Sequence, residues 1–386
     1  MLKKIILSLL SGLGILIITW FYQNYDYTLN LEDGFFKKLW KFKTFANDPQ
    51  RKSSFVFINT GKDPAIVEDT IDYGTVVVSD REKIYQFLHN INSSPGKPLF
   101  TVLDIQFYYP YSINNSIDTL MQAELNKNNK TLIAAVKNSD GEYILPLYHS
   151  LYGYSDYRTF GSGFNKFRIL KYDSMPSIPI VIHEQVDSAV YKNKLLYTTC
   201  NNKLSFSAIW PNYYLNDRDV KTNKKVEFAR YFNLGEILFD MEANPDAYQY
   251  YFNDKIILLG NFETDTHSTP VGKMSGPVLL ANIYLTLLNK QHIVSWGFLL
   301  TVLAVFSGLS YVAWFKRMPE LKFKFKFIFS SYISQFIRSY VSYFGCMFFL
   351  SLLCLFAFNV QVALFLPALI FSGIEYLRQK KYRTQN

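Results

Sequence analysis

The sequence is poor in cysteine, with only three among 386 residues. Cys346 and Cys354 lie in a long apolar run near the carboxyl end, which leaves Cys200 as the single thiol between residues 22 and 293. An intradomain disulfide is therefore excluded in that segment. Its folded state must depend on a hydrophobic core, and about 270 residues are enough to build one.

Catalytic and nucleotide-binding motifs are also missing. Gly161, Ser162 and Gly163 match neither G-x-G-x-x-G nor G-x-S-x-G in spacing, so they indicate a turn rather than a phosphate loop or a nucleophile elbow. Residues 22–293 contain no Pro/Gly/Ser-rich linker, low-complexity stretch or internal repeat, which favours one domain. We therefore predict no cofactor and no enzymatic activity.

Long apolar runs are present, and they predict four transmembrane helices: residues 5–21, 294–315, 339–358 and 360–376. The first run follows Lys3 and Lys4 and lacks a small-x-small cleavage site, so it is typical of an uncleaved anchor rather than a signal peptide. One helix over the uncharged interval between Arg338 and Glu375 would be about 54 Å long, against a bilayer core of about 30 Å. Two spans joined by a turn at residues 359–361 fit instead.

The distribution of Lys and Arg predicts the orientation of these helices. Twelve of the 40 basic residues flank them, against two of the 31 acidic residues. They lie in segments 1–4, 316–338 and 377–386, which the positive-inside rule places in the cytoplasm, with residues 22–293 across the membrane. The rest of the chain is balanced, with 28 basic and 29 acidic residues. The net charge of +9 is thus a topology signal and does not indicate a nucleic-acid partner.

Short runs of Val, Ile, Leu and Phe predict buried β-strands within the large exported segment: residues 54–58, 99–105, 131–136, 178–182 and 256–259. Helical spacing alternates with them at Ile84, Phe87, Leu88 and Ile91, at Ile117, Leu120, Met121 and Leu125, and from Pro277 to Leu288 after Gly276. Ser79 and Glu82 predict a capping box for the first of these helices. The alternation predicts an α/β fold, with a mainly parallel or mixed sheet and helices on both faces. Residues 143–172 and 210–230 carry no pattern, and their structure stays open.

The segment from Asn253 to Leu288 carries a distinctive order of residues: a Lys and an apolar strand ending in Gly, then Asp, Thr-Pro, Gly, and a helix with Ala-Asn and Leu-Leu. They are Lys255, Gly260, Asp265, Thr269, Pro270, Gly276, Ala281, Asn282, Leu287 and Leu288. This order resembles the end of the second type of CHASE domain, a sensory extracellular domain associated with cyclases and histidine kinases. Weaker similarities are Asp33, Phe36, Arg81, Asp104 and Phe107. Two departures are Asn59, where the family commonly has Asp, and Val77-Val78, which replace a Trp-Pro pair.

The resemblance implies a sensory module in a bacterial inner membrane, with one span before it and usually three after it. In the family, a cytoplasmic kinase or cyclase commonly follows such a module. Only residues 377–386 follow the last predicted span here. We therefore expect a sensor without its own output domain, which passes its signal to a separate protein.

Polar residues near the ends of predicted strands and helices are the candidate ligand-binding residues: Asp265, His267, Thr269, Asp104, Asn59 and Arg81. Open α/β sheets bind ligands at the carboxyl ends of their strands, where Asp and His can hold a metal or hydrogen-bond a ligand. The same residues can instead cap a loop and satisfy backbone groups ahead of Pro270. Arg81 can form a structural pair with Asp104 or face a ligand anion. A metal is neither assigned nor excluded.

The remaining polar residues in apolar surroundings favour structural roles. Asn282 lies in an otherwise apolar helix, so we predict that its amide group bonds to a neighbouring loop. The other histidines show no metal-ligand spacing and are predicted to be ordinary: His89, His149, His183 and His292.

The leading hypothesis is therefore a membrane receptor for signal transduction. Its expected partners are a small molecule or an envelope protein outside the membrane, the lipid bilayer, and a signalling protein in the membrane or the cytoplasm. Two alternatives from other classes stay open. One is a membrane-tethered extracytoplasmic enzyme that uses Asp265 and His267, and the other is a structural or assembly factor of the cell envelope.

Overall fold

A computed structural model describes most of the chain: residues 1–24, 54–69, 74–114, 116–137, 143–155, 167–169, 175–194, 197–222, 229–244, 246–316, 318–319, 331–358 and 360–385. Asp33, Phe36 and Gly161–Gly163, which were named above, lie outside these residues.

The centre of the domain is a mainly parallel sheet. The strands are β1 (Phe55–Asn59), β2 (Pro64–Asp69), β3 (Gly74–Ser79), β4 (Phe100–Asp104), β5 (Thr131–Lys137), β6 (Tyr143–Ile144), β7 (Leu151–Tyr154), β8 (Phe167–Arg168), β9 (Tyr191–Asn193), β10 (Thr198–Cys200), β11 (Lys203–Ser205), β12 (Ala208–Ile209), β13 (Ala229–Asn233), β14 (Ile256–Gly260), β15 (Thr266–Thr269) and β16 (Gly272–Ser275). The central order is β13-β1-β14-β4-β5, with every neighbour parallel, and β5 also pairs with β7 in parallel and with β6 antiparallel. The apolar runs predicted as strands are confirmed at β1, β4, β5 and β14.

Smaller sheets surround the central one. They are the hairpins β2–β3 and β15–β16, the pair β8–β12 and the antiparallel sheet β9–β10–β11. The sequence did not predict β13, which is an edge strand of the central sheet. Its residues are only partly buried in the middle of the strand, so it lacks the continuous apolar run of the inner strands.

Helices cover both faces of the central sheet, as predicted. They are α1 (Leu2–Asn24), α2 (Arg81–Ser93), α3 (Ile117–Asn126), α4 (Ile178–Asp187), α5 (Asp217–Lys221), α6 (Leu234–Ala243), α7 (Ala247–Phe252), α8 (Gly276–Leu288), α9 (Trp296–Phe315), α10 (Ser331–Phe358) and α11 (Phe365–Gln385). Val56 and Ile58 of β1 point to a core formed with α2, α3, α6 and α7. Phe55 and Phe57 point to the opposite core, which α4 and α8 cover. This alternation along one strand places a helical layer on each side.

The start of α2 differs in detail from the prediction. Its four apolar positions are buried as expected, but the N-cap is Asp80 rather than Ser79. The Asp80 carboxylate accepts hydrogen bonds from the backbone N–H groups of Glu82 and Lys83, at 3.0 and 3.3 Å. Ser79 is the last residue of β3, and its hydroxyl donates to Thr60 instead, at 3.1 Å.

One predicted strand is wrong: residues 178–182 begin α4. Pro179 lies in the first turn of this helix, where the missing backbone N–H removes no intrahelical hydrogen bond. The run is buried on all sides within the core that includes α8. Complete burial removes the apolar–polar periodicity, so a short helix and a buried strand have the same sequence pattern.

Three helices in the described chain are long and apolar enough to cross a membrane: Leu2–Gln23, Trp296–Phe315 and Gln335–Phe358. They coincide with the first three predicted spans. The fourth prediction, residues 360–376, is corrected by the structure, because residues 360–364 are not helical and only ten residues of α11 precede Glu375. A spanning helix needs about 20 apolar residues, so α11 does not meet the requirement.

The first and second apolar helices pack as an antiparallel pair. A Cβ atom placed on Gly12 of α1 would lie 2.8 Å from the Cα atom of Ser307 of α9. Lys4 Nζ lies 5.3 Å from the centre of the Phe315 ring, so the beginning of α1 meets the end of α9. The basic residues at these two helix ends therefore lie at the same end of the pair.

The helices α10 and α11 form a second antiparallel pair beside the first. The ring contacts that define this arrangement are Phe344–Phe365, Phe336–Tyr376 and Phe298–Phe358, at 5.2, 5.9 and 6.0 Å. The end of α10 thus lies next to the beginning of α9, on the side of the domain. The basic end of α11 lies at the opposite end, with those of α1 and α9.

Candidate functional site

The carboxyl ends of three strands lie side by side at one edge of the central sheet. Asn59, Asp104 and Gly260 end β1, β4 and β14 at the same level, because these strands are parallel neighbours in register. A cavity of about 660 Å³ opens at this edge, between the strand ends and the hairpin β2–β3. The lining residues used below are Thr60, Val77, Asp104, Gln106, Asn261 and Asp265.

Two carboxyl groups meet the first residue of α8 at this cavity. A Cβ atom on Gly276 would lie 1.8 Å from Asp265 Oδ2 and 3.3 Å from Asp104 Oδ2. A Cβ atom on Gly260 would lie 3.3 Å from the Cβ atom of Asp104. The two glycines therefore allow both carboxyl groups to approach the start of α8, where the helix dipole is positive.

The carboxyl group of Asp104 is in an unusual electrostatic environment. Burial raises its pKa from 3.8 to about 8, the negative charge of Asp265 adds to the rise, and His267 lowers it in part. In the described part of the chain, no hydrogen bond reaches this carboxyl group, and no Lys or Arg lines the cavity. The raised pKa favours the protonated form of Asp104, which can donate a hydrogen bond into the cavity.

The structure brings Asp265 and His267 together, but it does not bring Thr269 to them. Asp265 Oδ1 lies 3.0 Å from His267 Nε2, and these side chains are 39% and 26% exposed, so water weakens this contact. The Thr269 hydroxyl donates to the carbonyl of Gly272 at 2.7 Å and accepts the N–H of Val271 at 3.3 Å. Thr269 therefore closes the turn between β15 and β16.

The amide group of Asn59 is fully used within the protein. Its Oδ1 atom accepts the backbone N–H groups of Gly61 and Phe262, at 2.9 and 3.1 Å. Its Nδ2 group donates to Asn233 Oδ1 at 3.2 Å and to Glu263 Oε1 at 3.3 Å. The side chain is completely buried. Asn59 thus joins the ends of β1 and β13 to the loop after β14.

Arg81 is buried and pairs with Asp118, so the prediction of Asp104 as its partner is wrong. Arg81 Nη1 lies 2.7 Å from Asp118 Oδ1. The guanidinium group also lies over the rings of Phe107, Tyr111 and Tyr148, at 5.5 to 5.8 Å from their centres. This aromatic box fixes the arginine within the fold, and Arg81 does not line the cavity.

A family model described as the CHASE2 domain matches residues 14–314, from α1 to the last turn of α9. The chain belongs to the CHASE2 family. The resemblance recognised around α8 is thereby confirmed, and CHASE2 domains are sensory extracellular domains. No curated protein and no solved structure matches the chain significantly.

In this CHASE2 domain, α8 connects the cavity with the chain that enters α9. Every residue from Gly276 to Leu288 is buried, and the helix is about 20 Å long. Asn282 Oδ1 accepts the N–H of Leu215 at 2.8 Å, and Asn282 Nδ2 donates to the carbonyl of Leu215 at 3.0 Å. The predicted structural role of Asn282 is confirmed, and these bonds hold α8 to the neighbouring loop.

Several cavity residues of this CHASE2 domain were not singled out from the sequence. Val77 belongs to a hairpin that has no long apolar run, so nothing local indicated that it would face a cavity. Asn261 directly follows β14, and its position at a strand end was the available signal. Gln106 is the second residue after β4.

Within the described residues of this CHASE2 chain, no group of three or more His, Cys, Asp or Glu side chains is arranged to hold a metal ion. The cavity is instead lined by the carboxyl groups of Asp104, whose pKa is raised, and Asp265, and the His267 imidazole contacts Asp265. These groups can donate and accept hydrogen bonds and can bind a positive charge.

Proposed function

We propose that this CHASE2 protein is a membrane-anchored sensor whose domain binds a small polar ligand in the cavity at the sheet edge. The observation that carries this proposal is Asp104, which lines the cavity with a raised pKa and no hydrogen-bond partner in the described chain. Asp104 is partly buried and borders the cavity, so a ligand there can bond to a carboxyl group that no described residue bonds.

The lining of the cavity selects the class of ligand. Asp104 and Asp265 are acidic, Thr60 and Asn261 add polar groups, and Val77 adds an apolar wall. Because no Lys or Arg lines the cavity within the described chain, an anionic ligand would meet unfavourable charge. We therefore propose a small molecule with an amine group and an apolar part, for which about 300–1,000 Å³ is the usual pocket size.

The proposed signal travels through α8. This helix begins against Asp265 and Asp104, and it ends close to Ser295, which caps α9. A ligand that holds the two carboxyl groups differently would move the start of a rigid, fully buried helix. Binding shifts the equilibrium only by the difference in its affinity for the two arrangements.

We place the domain outside the cytoplasm of a bacterial cell, with the inner membrane around α1, α9 and α10. Lys3, Lys4 and Lys316 lie at the same end of the α1–α9 pair, which supports a cytoplasmic position for that end. The basic end of α11 lies there as well, and α11 packs antiparallel along α10. We therefore propose that α11, although its apolar part is short, returns the chain across the membrane beside α10 and that both termini are cytoplasmic. The output then belongs to a separate signalling protein in the membrane or the cytoplasm.

Ligand binding is tested by thermal unfolding of the full chain in lipid nanodiscs. The probes are spermidine and putrescine, with glutamate as the anionic comparison. We expect both amines to raise the melting temperature and glutamate to leave it unchanged. Lack of stabilisation by the amines contradicts the proposed ligand class.

The location of the binding site is tested with one variant and one matched control. Asp104→Asn removes the raised-pKa carboxyl group and is expected to weaken amine binding by about tenfold, which equals roughly 1.4 kcal/mol. Asp240→Asn changes an exposed aspartate outside the cavity and is expected to bind as the original chain does. If Asp104→Asn bound the amines as tightly as the original chain does, the binding site would lie outside this cavity.

The signalling partner is tested by crosslinking and purification of the full chain from membranes of its own host. We expect a histidine kinase, a cyclase or another regulator to copurify at a constant ratio. The absence of a stable partner under crosslinking would contradict a sensor that signals through a separate protein.

A second candidate function is a hydrolytic enzyme. It is favoured by the 3.0 Å contact between Asp265 and His267, because a carboxylate can orient an imidazole that acts as a general base. Our main proposal assigns no catalysis to this pair. Hydrolysis of an ester or phosphate substrate by the purified chain, abolished in His267→Ala while the melting temperature is retained, would favour the enzyme instead.

A further inference from the structure

A buried pair of histidines lies near the other end of α8, away from the cavity. His183 of α4 is 7% exposed and His292, after α8, is completely buried. The Tyr191 hydroxyl oxygen lies between them, 2.7 Å from His183 Nδ1 and 3.3 Å from His292 Nε2. The centres of the two imidazole rings are 5.8 Å apart. We call His183, Tyr191 and His292 the histidine cluster.

The hydrogen bonds of the histidine cluster favour neutral imidazoles. When Tyr191 donates its single proton to one imidazole, that ring must be neutral, and the other imidazole donates to the Tyr191 oxygen. His292 Nδ1 is fully buried and has no hydrogen-bond partner within the described residues. A proton added to His292 at Nδ1 therefore places a charge where no described residue provides an acceptor.

Nearby charged groups do not compensate such a proton. Glu184 accepts the backbone N–H of Tyr191, and Asp187 accepts the Tyr284 hydroxyl at 2.9 Å. Cys200 bonds to Tyr191, and burial raises the pKa of its thiol. Burial lowers the pKa of His183 to about 4 and that of His292 to about 3, where the neighbouring His183 also contributes. The folded protein thus disfavours the charged form of both rings.

The histidine cluster lies where the domain joins the membrane helices. The carbonyl of His292 accepts the N–H of Phe206 at 2.9 Å, and the N–H of Val294 donates to the carbonyl of Leu204 at 2.9 Å. These bonds tie the sheet β9–β10–β11 to the residues directly before α9. The Phe206 ring also lies 5.2 Å from Trp20 of α1 and 5.8 Å from Phe298 of α9. Opening of this junction therefore releases both helices that anchor the domain.

We propose that the histidine cluster makes the junction between the domain and α9 sensitive to acid, so that protons are a second input to this sensor. The closed junction binds protons less tightly than the open one. It is therefore stable above pH 6.5, the ordinary pKa of histidine, and loses stability as the pH falls towards 4. Each imidazole changes the opening equilibrium nearly tenfold between pH 7.5 and 5.5, and the two together change it roughly a hundredfold.

The experiment is amide hydrogen exchange of the full chain in lipid nanodiscs at pH 7.5 and 5.5, corrected for the intrinsic exchange rates. Protection of residues 198–206 and 289–295 is expected to fall roughly a hundredfold at the lower pH. Protection of β14 is expected to change far less. A change below about threefold in the junction peptides would overturn the proposal.

Three variants separate the imidazoles from other titrating groups. His292→Leu is expected to reduce the response to about tenfold, and His149→Leu, which removes an exposed histidine, is expected to leave it unchanged. Tyr191→Phe keeps both imidazoles and is expected to lower protection at both pH values while keeping the acid response. A full response in His292→Leu, or loss of the response in Tyr191→Phe, contradicts the proposal even if a variant lacking both histidines fails to fold.

Discussion

Asp118 and Asp104 are two aspartates of one domain with opposite environments. Asp118 accepts hydrogen bonds from Arg81, from the Tyr148 hydroxyl at 2.5 Å and from the backbone N–H of Tyr111 at 2.9 Å. Burial alone would raise its pKa, but these bonds lower it overall. Asp104 lacks such bonds in the described chain, and its pKa is raised.

The difference separates a structural carboxylate from a candidate functional one. Asp118 is charged, paired and surrounded by groups that the fold itself provides. Asp104 is held next to a second carboxyl group, Asp265, at the edge of a cavity. A fold that needed Asp104 only for stability would have supplied it with a cation, as it supplies Arg81 to Asp118. Strongly perturbed acids in clefts are candidates for function on this ground.

The largest expected effect comes from breaking the structural pair. Arg81→Met leaves the Asp118 carboxylate without its cation, and we expect a loss of about 3–5 kcal/mol in the free energy of unfolding. Denaturant unfolding of the full chain in detergent micelles measures it. The matched control is Lys221→Met, which removes a lysine that is 33% exposed and lies 3.8 Å from the 48% exposed Glu263, and which should cost about 1 kcal/mol or less. If both variants lost a similar amount of unfolding free energy, the Arg81–Asp118 pair would be no more important for stability than the control pair.

The pH dependence of stability should have opposite signs at the two aspartates. The pKa of Asp104 is raised, so its contribution is fully present below pH 3.8 and is lost as the pH rises to about 8. The pKa of Asp118 is lowered, so its contribution is present above pH 3.8 and is lost as the pH falls below it.

This sign difference is measured with Asp104→Asn and Asp118→Asn in unfolding experiments between pH 3 and pH 9. Asp104→Asn should remove a downward slope of at most about 1.4 kcal/mol per pH unit from the stability curve, and Asp118→Asn should remove an upward slope at acidic pH. Parallel curves for the original chain and the Asp104 variant would show that Asp104 is ionised in the folded state.

A smaller effect is expected from the neighbour of Asp104. Asp265→Asn removes the negative charge that helps to raise the pKa of Asp104, so the two substitutions should not be additive at pH 7. We expect a coupling free energy of about 1 kcal/mol in a double-mutant cycle with Asp104→Asn. Strict additivity would show that the two carboxyl groups do not interact.

The smallest expected effect comes from the glycine at the start of α8. Gly276→Ala places a methyl group where the Asp265 carboxylate lies, and this partly exposed side chain has to turn away. We expect a loss of about 1 kcal/mol in stability and a change of spermidine affinity measured by titration calorimetry. Gly308→Ala is the control, because its Cβ position is open, and it should not destabilise the chain.

The sequence predicted those parts of the fold that local pattern determines. Strands β4 and β14 are continuous apolar runs, and α8 begins with Gly-Pro and continues with buried residues, so each has its own signal. The run at residues 178–182 was assigned as a strand because complete burial hides the helical period. The fourth span was predicted from the absence of charge, which does not show where a helix begins.

The candidate site was predictable only as a location. The ends of parallel strands meet at one edge, so Asp104 and Asp265 were expected to lie together, and they do. Side-chain partners that are distant in sequence were not predictable. Asp118 pairs with Arg81 across 37 residues, and His183 and His292 meet although their spacing gives no metal-ligand pattern. Such pairs depend on how the helices pack on the sheet. The spacing of apolar residues along the sequence carries no information about that packing.

The close contact between Gly12 and Ser307 restricts how α1 and α9 can move relative to each other. Backbone atoms of α1 and α9 nearly touch there, so sliding one helix along the other would drive Ser307 into the turns beside Gly12. Sliding of α1 or α9 alone along its own axis is therefore unfavourable. Helices α1 and α9 should therefore tilt or rotate together as a rigid pair, and this pair should move against α10 and α11.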